Sequence, residues 1–271
     1  MKKPLVLASV LLALGLAGSA MAQSGSVWAW GLNGRGQLGD GTTSGKPAPI
    51  QTHGLSDIVA LAAGTEHSLA ADSQGNVFAW GRNAQGQLGD GTSIDRSSPV
   101  PVVGLTGAVR LAGGEQHSVA VTSIGTVWTW GNNYYGQLGN GGGGDAAAPV
   151  LVPGLSNVIA VDAGQFHCLA LKSDGTVWSW GRNSNGQLGD GTTTLRYAPV
   201  PVTGLTNVVA VAAGGRFSLA LKADGTVWGW GSNASGELGD GSSATKLTAV
   251  QNPLLSQIAA IAAGDYHSVW L

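Results

Sequence analysis

Along Thr226-Val227-Trp228-Gly229-Trp230 the large residues fall at every second position, the period of a strand whose two faces meet different surroundings. Phe217-Ser218-Leu219-Ala220-Leu221 alternates in the same way. Before it, Val208 to Ala212 is a short apolar run that ends in Gly214-Gly215, and after a Gly/Asn/Ser loop comes Leu247 to Gln251. These segments predict four short strands rich in Val, Thr and Trp and separated by glycine turns. Asp174-Gly175 and Asp224-Gly225 add two-residue hairpin signals between the second and third strands. No helical period appears beyond residue 22.

The four-strand pattern recurs. Trp30-Gly31, Trp80-Gly81, Trp130-Gly131, Trp180-Gly181 and Trp230-Gly231 stand 50 residues apart, and each opens a variant of W-G-x-N-x-x-G-Q-L-G-D-G. A second signature follows each one, from Ala63-Gly64 to His67, Gly113-Gly114 to His117, Ala163-Gly164 to His167, Ala213-Gly214 to Phe217 and Ala263-Gly264 to His267. Units of this length cannot bury a core alone and must pack on their neighbours. Four-stranded antiparallel units suit the blades of a β-propeller, so the fold class is all-β, with the Ala-rich first strands nearest the axis and the tryptophans between blades. The expected phase of the ends makes Ser26 to Trp30 a third strand and Tyr266 to Leu271 a second strand. Pairing these N- and C-terminal strands would complete the fifth blade and close the ring, removing exposed edges.

Composition then narrows the class. Lys2 and Lys3, the apolar run Leu5 to Leu16 and the small residues up to Ala22 read as a signal peptide over residues 1–22, with cleavage after Ala22. Residues 24–271 are then the propeller of a secreted or periplasmic bacterial protein with no membrane span after cleavage. Glycine is 45 of 271 residues and phased with the repeat, so these glycines are turn residues and not linkers. The net charge of −2 and the lack of a basic block argue against nucleic acid as a partner. Cys168 takes the slot of Ser68, Ser118, Ser218 and Ser268 and reads as a buried small residue.

The paired signatures W-G-x-N-x-x-G-Q-L-G-D-G and A-A-G-x-x-H-S-L-A-L resemble those of the regulator of chromosome condensation repeat family over residues 26–271. The resemblance implies a propeller, usually of seven blades, and functions that include nucleotide exchange on the GTPase Ran and chromatin binding. A secreted β-lactamase inhibitory protein is built from the same repeats and binds its target with one propeller face.

Candidate chemistry is sparse. The recurring His67, His117, His167 and His267 read as structural, because spacings of 50 residues form no compact metal motif and Phe217 breaks the set. No nucleophile elbow, phosphate loop or zincin motif is present. No catalytic residue, cofactor or metal is therefore assigned, and the chain reads as a non-enzymatic monomer that binds an unidentified protein. Meander topology puts the first-to-second and third-to-fourth loops on one face. That face varies between units, whereas the opposite face repeats Asp-Gly turns. The variable positions Arg35, Arg82, Tyr134, Tyr135, Phe166, Arg182, Arg216 and Tyr266 are the candidate partner-binding residues, because Tyr and Arg are enriched at interface hot spots. Inhibition of a secreted enzyme, glycan or cell-wall binding, and nucleotide exchange are the competing functions.

Overall fold

A computed structural model describes residues 25–271, so the predicted signal peptide lies outside the described residues. The strands are β1 (Trp28–Gly31) and β2 (Lys46–Gln51), then β3 (Ile58–Ala63), β4 (His67–Asp72), β5 (Val77–Gly81) and β6 (Arg96–Pro101). The next unit holds β7 (Ala108–Gly113), β8 (His117–Thr122), β9 (Val127–Gly131) and β10 (Ala146–Leu151). There follow β11 (Val158–Ala163), β12 (His167–Lys172), β13 (Val177–Gly181) and β14 (Arg196–Pro201). The last are β15 (Val208–Ala213), β16 (Phe217–Lys222), β17 (Val227–Gly231), β18 (Lys246–Gln251), β19 (Ile261–Ala263) and β20 (Ser268–Trp270). β3–β6, β7–β10, β11–β14 and β15–β18 form four complete antiparallel four-stranded meanders. Among the described residues β1 and β2 form a two-stranded sheet, as do β19 and β20. The arrangement is a propeller of repeated blades, and the first strands line the axis as the small residues required.

Each blade boundary is built from one set of contacts. Trp80, Trp130, Trp180 and Trp230 are at most 2% exposed, and their indole N–H groups donate to the carbonyls of Gln37, Gln87, Gln137 and Gln187 in the preceding unit at 2.8–2.9 Å. Burying such a ring between blades contributes roughly 2–3 kcal/mol from area alone. Beside it, His67 Nε2 meets Ser118 Oγ of the next unit at 2.9 Å, and Ser118 O–H donates to the Gln87 carbonyl at 2.8 Å. His167, Ser218 and Gln187 repeat this geometry. Because the hydroxyl proton is committed to the carbonyl, the imidazole Nε2 must carry the other hydrogen. Nδ1 is then bare, and it lies buried without a partner in His67, His117 and His167. The histidines are thus structural, each meeting a side chain of the next unit through Nε2. His267 departs from the set, since it is exposed.

Cys168 is buried in the serine slot, with Sγ 3.1 Å from His117 Nε2 and 3.4 Å from the Gln137 carbonyl. Burial pushes its thiol pKa well up, so it behaves as a small core residue.

One expectation fails. Tyr266 to Leu271 does not pair with Ser26 to Trp30: among the described residues β20 bonds only to β19, and β1 only to β2. Trp30 is 62% exposed where its four equivalents are buried. The last unit also departs from the others at this position. At the other boundaries the interblade tryptophan packs on a loop glycine of the preceding unit, Gly189 against Trp230 for example. The equivalent Gly239 is packed instead by Trp270, from the second strand, where the other units have Ala70, Ala120, Ala170 and Ala220. Trp270 therefore packs on the glycine that meets the interblade tryptophan at the other boundaries.

Candidate functional site

The loops that follow the third strands are rigid because each is built round a buried asparagine. Asn133, fully buried, accepts from Leu138 N–H through Oδ1 at 3.0 Å and donates through Nδ2 to the carbonyls of Gly142 and Gly144 at 2.7 and 3.1 Å. Asn33, Asn83, Asn183 and Asn233 make the same Oδ1 contact to the equivalent leucine amide. These loops are tied to the turns between first and second strands. Arg82, Asn132, Arg182 and Ser232 donate backbone N–H to the carbonyls of Glu66, Gln116, Phe166 and Arg216. The two variable loop sets therefore share one face, as the topology predicts.

On that face the side chains of two adjacent units converge. The Tyr134 and Tyr135 rings meet edge to face, with centroids 4.8 Å apart, and Tyr135 lies 5.1 Å from Phe166. The Arg182 guanidinium carbon sits 4.9 Å from the Tyr135 centroid and 5.8 Å from that of Phe166. Arg182 Nε donates to Ser184 Oγ at 3.0 Å, which fixes the fork over the rings. A guanidinium held on aromatic faces keeps its outer N–H groups free for a ligand acceptor. Tyr134 is 70% exposed, whereas Tyr135, Phe166 and Arg182 are half-buried.

The remaining candidates do not join this cluster. Arg82 pairs with Glu66 at 2.7 Å, and Arg35 with Asp95 at 3.4 Å, an exposed pair worth little. Arg216 lies in the β15–β16 turn with its Nε buried and unpartnered. Tyr266 sits in the last unit beside His267 and Trp270. Residue-type reasoning missed the acids at the mouth of the central channel. The mouth is lined by Thr65, Glu115, Gln165, Gly215 and Asp265, one from each unit. Burial raises the Glu115 pKa and Asp265 raises it further, against the opposing pull of Arg82, Arg216 and Arg182. The signal available in the sequence was that the turn positions of all five units converge on the axis.

A second departure from the repeat is Asp162, which stands where other units have Ala62, Ala112, Ala212 and Ala262. Its carboxylate accepts from Ala163 N–H at 2.9 Å and, across the boundary, from Ala213 N–H at 2.8 Å. Desolvation raises its pKa to about 6 despite those bonds. Asp162 ties two first strands together and serves the fold.

On the opposite face the turns between second and third strands carry Gln74, Ile124, Asp174 and Asp224, and Ile124 is 79% exposed. Asp174 and Asp224 each accept from the backbone and hydroxyl of the threonine two residues on, closing hairpin turns.

Among solved structures, human WBSCR16 superposes with a TM-score of 0.81 at 25% identity, over 90% of this chain and 67% of that one. Prp20p from Saccharomyces cerevisiae, described with its binding to Gsp1p and histones, gives 0.77 at 26% identity over 86% of this chain. This chain spans 60% of the length of Prp20p. Yeast RCC1 bound to Kap60 shares the fold at 22% identity and a TM-score of 0.57. No curated protein sequence matches the chain. The sequence itself matches the RCC1-like domain over residues 8–270, and the chain belongs to the RCC1-like domain family.

Proposed function

We propose that this protein is an exported, non-enzymatic binding protein that takes a protein partner through the face carrying Tyr134, Tyr135, Phe166 and Arg182. The observation that carries the reading is the prestacked aromatic–arginine cluster on loops that are otherwise held by buried asparagines. Large, rigid side chains gain contact area with little further entropy to lose, which is what a recognition surface requires. The similarity to Prp20p, a protein described as binding Gsp1p and histones, supports a protein ligand in general terms. Export rests on the Lys2-Lys3 pair, the apolar run and the small residues ending at Ala22.

The test has two parts. Protein recovered from the producing cell should start at Gln23, which N-terminal mass analysis reads directly. Affinity capture from the cell envelope and medium should then yield a partner that is lost with Tyr135→Ala and Phe166→Ala. Each of these substitutions should weaken binding by roughly 1–3 kcal/mol. Asp174→Ala, on the opposite face, should leave affinity unchanged. Loss of binding with Asp174→Ala alone would move the site to the other face.

A further inference from the structure

The repeat supplies its own comparison for the arginines of the variable face. In each complete blade the residue after the third strand donates its backbone N–H to the carbonyl of a residue in the turn between first and second strands. These bonds run from Arg82 to Glu66, Asn132 to Gln116, Arg182 to Phe166 and Ser232 to Arg216, at 2.8–2.9 Å. Each bond makes the two residues neighbours. In the first pair the neighbours carry opposite charges, and Arg82 Nη1 donates to Glu66 Oε2 at 2.7 Å. In the second both are neutral amides. In the third an aromatic ring stands where the acid stood, and Arg182 lies over it. In the fourth the arginine itself takes the acid's position, and its neighbour Ser232 donates its hydroxyl to Glu237 Oε1 at 3.1 Å. Two adjacent blades therefore keep an arginine and lack the carboxylate that matches it in the first.

The fold brings these two arginines together. The Phe166 turn is joined to the Arg216 turn by Gln165 N–H, which donates to the Gly215 carbonyl at 3.3 Å. Arg182 is held beside the same turn by its stack on Phe166 and its bond to Ser184. Both guanidinium groups act on Glu115 at the channel mouth. Among the described residues neither arginine forms an ion pair, so Glu115, Asp265 and Glu237 all lie beyond ion-pair distance of both. Arg216 Nε is buried with no acceptor, so part of that cation has already given up its water without gaining a protein partner.

We propose that the partner is recognised through carboxylates: an acidic segment of it lies across the β11–β14 and β15–β18 blades, with one Asp or Glu side chain on Arg182 and a second on Arg216. This inference rests on the reading of the variable face as the binding face, and it adds the chemistry of what that face takes. A guanidinium backed by aromatic rings presents its outer N–H groups edge-on, the arrangement that a carboxylate meets with two parallel hydrogen bonds. Because Tyr135, Phe166 and Ser184 already fix Arg182, little side-chain freedom is left to lose on contact.

The purified protein is titrated with a labelled hexaglutamate peptide, and with hexaglutamine and hexalysine as controls. Hexaglutamate should bind and the controls should not. Arg182→Gln and Arg216→Gln should each weaken that binding about ten-fold or more. Arg182→Lys keeps the charge and loses the fork, and should recover only part of the loss. Arg82→Gln removes the same charge from the same face, but from a guanidinium already held by Glu66, and should change affinity less than about three-fold. Equal weakening by all three Gln substitutions would mean bulk attraction alone and overturn the proposal, as would hexaglutamate binding no better than hexaglutamine. The envelope capture separates this inference from the reading beneath it. A partner lost with Tyr135→Ala but retained with Arg182→Gln leaves the binding face in place and overturns the carboxylate contact. A partner retained with Tyr135→Ala overturns the binding face itself.

Discussion

At the scale of single residues, the histidines set the acid limit of this fold. Burial lowers the pKa of His67 and His167 to about 4, and that of His117 to about 3, from an ordinary value of 6.5. A depressed folded pKa means stability that is complete above pH ~6.5 and is lost as pH falls through that value toward the folded pKa. Each buried imidazole then withdraws on the order of 2–3 kcal/mol by pH 4. Asp162 has the opposite sign. With its pKa raised from 3.8 to about 6, the stability linked to its protonated form is present below 3.8 and lost as pH rises through 6. Three imidazoles outweigh one carboxylate, so the urea midpoint should fall steadily between pH 7 and pH 4.5; a midpoint that rises over this range would refute the assignment. His117→Ala removes the imidazole contact to Cys168 and opens a cavity, costing ~1–3 kcal/mol at pH 7. Cys168→Ser restores the residue of the neighbouring units and should change stability by less than ~1 kcal/mol. Denaturant titration measures both.

At the scale of the element, the loop after each third strand behaves as one object. Asn133→Ala removes the bonds to Leu138, Gly142 and Gly144 together, and should cost ~2–4 kcal/mol while loosening Tyr134 and Tyr135. Two glycines in that loop separate backbone strain from packing. Gly139 and Gly141 have φ of +63° and +82°, but a Cβ on Gly139 would fall 2.7 Å from Trp180, whereas one on Gly141 would meet nothing within 4 Å. Gly141→Ala should therefore cost only the left-handed penalty of ~1 kcal/mol, and Gly139→Ala several times more. Equal costs would mean that the indole yields freely. Much of this was legible in the sequence. Alternation gave the strands, Asp-Gly gave the hairpins, and recurrence gave the tryptophan boundaries and the shared loop face. What was not legible depends on curvature: the meeting of Glu115 with Asp265, the stacking of Arg182 on two rings, and the failure of β1 to reach β20. Trp270 in an alanine slot was visible from the repeat, but its consequence required knowing which slot it fills.

At the scale of the whole molecule, stability is a sum of units and nearest-neighbour boundaries. The end sheets have two strands and one boundary each, so opening should start there. Hydrogen exchange should be fastest in β1, β2, β19 and β20 and slowest in β8 and β12; uniform protection would refute this. The cross-boundary bonds carry a further consequence, a kinetic one. His67 to Ser118, Gln87 to Trp130 and Gln87 to Ser118 span 51, 43 and 31 residues. A boundary can therefore form once one further unit of chain is available, without waiting for distant sequence. Folding can advance unit by unit behind a growing or translocating chain, and no partly made product need hold more than one unsealed boundary at its leading end.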